Sequence, residues 1–388
     1  MLSVRAIARK EVQMEQKQLK GFSKFIALLV ISALVISVII FTANGNEFGI
    51  DQPTANDTPQ DTPIKDDNAV NPPTDDSSDT GEDEEQTPVQ TPPEAVFKNV
   101  LTGLEITESE YNSCAYGIVI DPSEAIYGLS YADIAIEFPT EMGDSRMLFF
   151  SSSDEVIWKI GALMPTRRYI TAMSDFFGGI IVANGEDDKN NYTQDDVGKL
   201  LDLSKHTDCA YNENGKLYYT NEKLIEIALN RTQYIATDNK YTTPPFIFGE
   251  STFIDGINCA DQVVIPYKDD NSTRLIYDKS IEKYIYIKNS SSKTDMLNGE
   301  TIAFTNAFIL FADSTTYESS TDTELVIDTQ SGGSGYYFHG GKMTEIRWKS
   351  SNGKLLFTNL MGEVLSVDPG NSYMSFFKSS EYSNITMS

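Results

Sequence analysis

The chain has 388 residues, room for a sizeable core, and 57 Asp+Glu against 30 Lys+Arg give it a formal charge of −27. That much negative charge excludes nucleic acid as a partner, because phosphates are repelled at long range. Two histidines and three cysteines leave little material for histidine-based catalysis, a zinc centre or a disulfide framework.

The charge is unevenly distributed. Residues 1–24 carry +4, residues 25–43 carry none, and residues 44–95 carry 14 acids against one base, Lys65. The uncharged segment reads FIALLVISALVISVIIFTA, 19 residues interrupted only by Ser32, Ser37 and Thr42. As a helix it spans about 28 Å, close to the hydrocarbon thickness of a bilayer. Bases before it and acids after it predict a cytoplasmic N-terminus and an extracytoplasmic bulk. A cleaved signal peptide is the alternative, with Ala43-Asn44-Gly45 as the cleavage site, but the leader and the apolar run are both long for one. Residues 1–24 then form a cytoplasmic basic flank. Residues 44–95 hold 8 of the 15 prolines together with runs of acids, the composition of a disordered, extended linker.

From residue 96 the pattern becomes that of a folded chain. Strands are predicted over 115–121 and over 132–138, where Asp133, Ala135 and Glu137 alternate with Ile134, Ile136 and Phe138. A turn containing Gly143 leads to a partner strand over 146–150, a hairpin that sets Glu137 against Arg146 as a cross-strand ion pair. Helices are predicted over 166–177, ending at Gly178-Gly179, from Thr193 through Leu200, Leu201 and Ser204, and over 221–231. After Pro244-Pro245 the helical period stops. Strands are expected over 262–267, 272–277, 283–288, 302–311, 324–328, 335–338, 344–348, 354–358 and 363–367, separated by turns such as Asn298-Gly299, Gly340-Gly341 and Asn352-Gly353. The fold class is therefore α+β: an α/β domain over 96–243, then an all-β domain over 246–388.

The order of several segments is informative beyond their periodicity. Val100-Leu101-Thr102-Gly103-Leu104, Tyr127-Gly128-Leu129-Ser130-Tyr131-Ala132-Asp133-Ile134 with Glu137, then Arg146, Ile160-Gly161, Arg167 and Tyr169 occur in the first half. Gly335-Tyr336-Tyr337-Phe338, Gly341-Lys342, Trp348-Lys349 and Gly362-Glu363 occur in the second. Over residues 97–377 this order resembles the YerB-like family of bacterial envelope lipoproteins, a family without an established biochemical role. The resemblance implies an α/β domain followed by a β domain at a bacterial, Gram-positive cell surface. Members are lipid-anchored on a cysteine, whereas the first cysteine here is Cys114, so a membrane helix replaces the lipid. The family run Ile-Gly-Pro-Val-Arg-Ser-Ala-Arg is represented by residues 160–167, where only its second arginine survives, as Arg167. A family Pro-His-Asn is replaced by Asn214-Gly215-Lys216.

Chemistry-bearing residues are few. Asp133 and Glu137 lie four residues apart on a strand, about 13 Å, beyond the about 5–9.5 Å used in glycoside hydrolysis. Arg167 and Arg168 open a predicted helix, where guanidinium and backbone N–H groups suit an anion and where the helix dipole disfavours cations. Asp133, Glu137, Arg146, Arg167 and Arg168 are the candidate ligand-binding residues, each weighed against a purely structural role. Tyr284, Tyr286, Tyr336 and Tyr337 are the candidates for stacking on sugar rings, although a strand-rich domain uses aromatics for packing and that is the favoured role. His339 is expected at the surface in a Gly-rich turn. No catalytic residue, metal site or cofactor is expected. The sequence suggests a membrane-anchored, non-enzymatic module that binds a cell-envelope component or surface protein. The alternative is a cell-wall hydrolase or transferase with Asp133, Glu137 and Arg167 in its cleft.

Overall fold

A computed structural model describes residues 96–112, 116–153, 155–186, 200–206, 210–220, 247–251, 260–318, 323–352 and 354–388, all within the unit Val89–Ser388. The apolar run 25–43, the acidic linker, the predicted helix 221–231 and Cys114, Cys209 and Cys259 lie outside these residues. No helix among the described residues is long and apolar enough to cross a membrane.

Period-2 patterning and Gly or Asn turns carry most of the described chain, which is predominantly β. The hairpin pairs Ile134–Pro139 with Ser145–Ser151, and the turn between them is closed by Thr140 N–H to Asp144 O. Tyr116–Ile120 pairs on the far side of Ser145–Ser151 and continues through Ile160–Leu163 and Lys216–Tyr219 to Ala210–Glu213. On the other flank of Ile134–Pro139 lies Ser372–Lys378, parallel to it, then Asn306–Ala312, Gly333–His339, Lys342–Ser351 and Lys354–Thr358. With Ile180–Ala183 and Leu200–Asp202 these make a 13-stranded sheet. It takes strands from both sides of Pro244-Pro245.

A second, six-stranded sheet is an antiparallel meander of Gln262–Lys268, Asn271–Asp278 and Lys283–Lys288, extended by Ser291–Ser292, Ala303–Phe304 and Thr386–Met387. It covers one face of the large sheet. Between them Ala135, Phe149, Ile309 and Tyr373 of the large sheet pack with Val263, Ile265, Leu275, Tyr284 and Tyr286 of the small one. The opposite face buries Ile134, Ile136, Phe138, Met374 and Phe376 with Tyr169, Ile170 and Phe177.

Helix is scarcer than expected. The stretch 166–177 forms two one-turn helices, Arg168–Thr171 and Ser174–Phe177, joined by i→i+3 bonds through Ala172 and Met173. Tyr169, Ile170, Thr171, Met173, Ser174, Phe176 and Phe177 are all buried, so the segment packs on more than one side and a single amphipathic helix cannot satisfy it. It stops where expected, at Gly178 and Gly179 with positive φ. The helix expected through Leu200 and Leu201 is replaced there by the strand Leu200–Asp202, parallel to Ile180–Ala183. Two adjacent buried leucines suit a strand covered on both faces, a case that apolar periodicity alone does not separate from helix. Ser372–Lys378, which has no counterpart among the predicted strands, joins the two halves of the large sheet.

Candidate functional site

Glu137 and Ser145 stand near the turn end of the hairpin, on the face that meets the small sheet. Side chains alternate, so Lys288 points the same way as Tyr284 and Tyr286, into the core. Glu137 Oε1 accepts from Lys288 Nζ at 2.8 Å and Ser145 Oγ at 2.5 Å. Oε2 accepts from Thr273 Oγ1 at 2.8 Å, Tyr286 OH at 3.2 Å and Tyr373 OH at 2.7 Å. Lys288 Nζ also donates to Ser145 Oγ at 2.7 Å and lies 4.4 Å from the centre of the Tyr267 ring. Glu137, Lys288, Thr273, Tyr286 and Tyr373 are all 0% exposed.

Burial alone would push the Glu137 pKa up; the Lys288 ammonium and its hydrogen bond, with those of Ser145 and Tyr373, outweigh it and hold the carboxyl below its usual value. Burial and then the Glu137 charge push the phenols of Tyr267, Tyr286 and Tyr373 well above their ordinary range, so they stay protonated donors. The Glu137 carboxylate is thus ringed by protonated phenols and closed off from solvent at 0% exposure. The cluster's members come from three strands of the large sheet and three of the small one, and it joins the two layers.

The remaining sequence candidates lie elsewhere. Arg146 is not the partner of Glu137. The register sets Phe138 against Arg146 and Glu137 against Met147, so the two charges leave opposite faces of the hairpin. Arg146 donates to Pro165 O at 2.9 Å, and Arg167 forms an ion pair with Glu141 at 2.6 Å. Arg167 and Arg146 therefore meet on one side, near 165–167, where a carboxylate of the same chain already engages Arg167. Arg168 begins a four-residue helix and is exposed.

Asp133, just before Ile134–Pro139, accepts from Asn99 Nδ2 at 2.9 Å and from Ser152 N–H at 2.8 Å and Oγ at 2.6 Å. Burial outweighs these bonds and pushes its pKa up to about 6. Its folded value lies above the unfolded 3.8, so the folded state holds this proton more tightly. The penalty of about 2–3 kcal/mol exists above pH 6 and is relieved as pH falls from 6 towards 4. An Asp133 carboxyl resonance titrating near pH 4, or no loss of this acid-side gain in Asp133→Asn, would contradict that reading.

Three of the tyrosines weighed for sugar stacking are packing residues: Tyr284, Tyr286 and Tyr337 are 0% exposed, because the face they occupy is the covered one. His339 is half-buried rather than at the surface, with Nδ1 3.2 Å from Thr305 O and Nε2 3.5 Å from Asp368. Two residues missed by sequence reasoning matter most. Lys288 was signalled by the alternation in Lys-Tyr-Ile-Tyr-Ile-Lys. Asp295 carried no signal: 0% exposed, its Oδ2 accepts from Gly128 N–H and Ser130 N–H at 2.9 Å and from Ser130 Oγ at 2.8 Å. Beside Ser130 opens a cleft of about 520 Å³, lined among others by Lys283, Ile285, Glu300, Ala303 and Asn371. Among the described residues no group of three His, Cys, Asp or Glu side chains is placed to hold a metal ion.

Residues 263–374 match a family described as protein of unknown function (DUF3048), C-terminal domain. The chain is 26% identical over 294 residues to the candidate lipoprotein YerB of Bacillus subtilis (strain 168), covering 72% of this chain and 86% of that protein. The crystal structure of YerB from Bacillus subtilis matches with a TM-score of 0.65 at 24% identity, over 75% of this chain and 99% of the other, which shows a shared fold. The resemblance to the YerB-like family holds over most of the chain.

Proposed function

We propose that this YerB-like chain is a membrane-anchored, extracytoplasmic binding or scaffold module of the bacterial cell envelope, which recognises a partner without converting it. The observation that carries the reading is the closure of the Glu137–Lys288 cluster. Glu137 and Lys288 are sealed at 0% exposure, with both carboxylate oxygens of Glu137 already bonded within the chain. Asp133 is engaged by Asn99 and Ser152, and Arg167 by Glu141. General acid–base chemistry needs a group within hydrogen-bond reach of substrate, and these groups face their own neighbours. For location, support comes from the basic flank, apolar run and acidic linker of residues 1–95 and from the lipoprotein description of the Bacillus subtilis relative.

Two measurements on the full chain test this. Protease added to intact cells is expected to remove the folded part, and resistance until the cells are permeabilised would reverse the topology. The detergent-purified protein is expected to leave cell-wall fragments unchanged. Release of new reducing ends or free amines, lost together with Asp133→Ala and Glu137→Gln in a folded variant, would instead support the hydrolase or transferase.

A further inference from the structure

An antiparallel sheet with one covered face normally turns polar side chains to water on the other. The small sheet does so only in part, with an aliphatic middle around one arginine. Along its three long strands burial alternates until the last two residues of the second, Tyr277 and Asp278, and the outward set is Gln262, Val264, Pro266 and Lys268, then Ser272, Arg274, Ile276 and Asp278, then Lys283, Ile285 and Ile287. Cross-strand register puts Val264, Arg274 and Ile287 in one row and Gln262, Ile276 and Ile285 in the next. Arg274 therefore stands within a field of five aliphatic or proline side chains, none of which belongs to either core cluster. Contiguous apolar surface on a folded chain marks an interaction site.

Arg274 supplies the second observation. Its Nε is buried against the sheet and has no hydrogen-bond partner, and the side chain makes no ion pair among the described residues, in a chain with 57 acids to 30 bases. A guanidinium has five donors arranged to grip a carboxylate. Continuous with this face through Ile285 and its register partner Ala303 is the cleft of about 520 Å³ beside Ser130.

We propose that the outer face of the small sheet is a docking surface for an aliphatic peptide segment of a partner protein, whose side-chain carboxylate is received by Arg274. The inference rests on the binding-module reading and names its surface and partner class. A second copy of the chain is disfavoured as the occupant, because Arg274 stands mid-face on the central strand and a two-fold axis through the middle of the face sets Arg274 against Arg274. An anionic lipid surface is disfavoured by the charge of −27.

The test uses the full chain in detergent micelles and two fluorescent hexapeptides of alternating valine and isoleucine, identical except for a central glutamate or glutamine. The glutamate peptide is expected to bind about tenfold more tightly, as a desolvated charge-assisted pair requires. Arg274→Gln should abolish that difference with the unfolding midpoint unchanged, and Ile287→Thr should weaken both peptides while leaving the preference for glutamate. Equal affinity of the two peptides, binding of neither, or a preference that survives Arg274→Gln overturns the proposal, as does self-association strengthened by that substitution. Wall-fragment turnover would sink the binding-module reading and leave the peptide preference standing. Inertness toward wall fragments combined with failure of both peptides would sink this surface alone.

Discussion

Lys288→Met is expected to lower the free energy of unfolding by about 3–5 kcal/mol, read from denaturant melts at pH 7. The substitution preserves much of the side-chain volume, so little of the loss comes from a cavity. It comes from Glu137, which stays at 0% exposure with its neutralising ammonium gone. Four hydroxyl donors remain around that carboxylate, from Ser145, Thr273, Tyr286 and Tyr373, and they soften the penalty without cancelling a buried charge. Combining Lys288→Met with Glu137→Gln removes both charges and should recover at least half of the loss. If the double variant is as unstable as the sum of the two singles, the energy lies in packing and the electrostatic account fails.

The same pair sets a pH signature. In the native chain the Glu137 pKa is held below its usual 4.5, so its stabilisation is complete above the unfolded value and is lost as pH falls through the folded one. In Lys288→Met the burial of the carboxyl is opposed only by hydrogen bonds, and the folded pKa should rise above the unfolded value. Acidification from neutrality should then stabilise the variant over the range in which it leaves the Glu137 contribution of the native chain unchanged. A pH dependence of identical shape in both proteins would rule out Glu137–Lys288 as its source.

Much of the architecture was legible, because it is local. The hairpin of Ile134–Pro139 with Ser145–Ser151 and the meander from Gln262 to Lys288 follow from alternation and turn residues, and both form near the expected bounds. What alternation cannot say is which face is wet. Alternation puts Asp133, Ala135 and Glu137 on one side, yet the layer covering Glu137 comes from strands far along the chain, with Lys288 151 residues away. For the same reason alternation alone does not decide between packing and ligand stacking for Tyr284 and Tyr286, as the covered side of their strand looks no different in sequence from the open one. Arg167 was recognised as out of place at a helix start, and its partner Glu141, 26 residues earlier, lies in a turn whose fold is needed to bring it there. Ser372–Lys378 went unseen, although the two halves of the large sheet meet on it.

Asp295→Ala is expected to cost about 3 kcal/mol, the second-largest single effect, and to loosen one specific segment. A buried donor left without an acceptor costs about 1–3 kcal/mol, and Asp295 serves four: the backbone N–H groups of Gly128, Ser130 and Leu297 and the hydroxyl of Ser130. Gly128 has φ of 94° and precedes the 3-10 turn Leu129–Tyr131, so without the carboxylate this turn has no side-chain cap. The loop bearing Asp295 is also tied to the turn segment by Met296 N–H to Ile126 O, hence the two should loosen together. Hydrogen exchange should accelerate at residues 126–131 and 293–300 while the hairpin 134–151 keeps its protection. Asp295→Asn retains one acceptor oxygen and should fall between the native chain and Asp295→Ala in both stability and exchange. Because Leu129 and Ser130 line the cleft that adjoins the Arg274 face, a change in exchange confined to regions remote from 126–131 would separate Asp295 from that surface and leave it an ordinary loop residue.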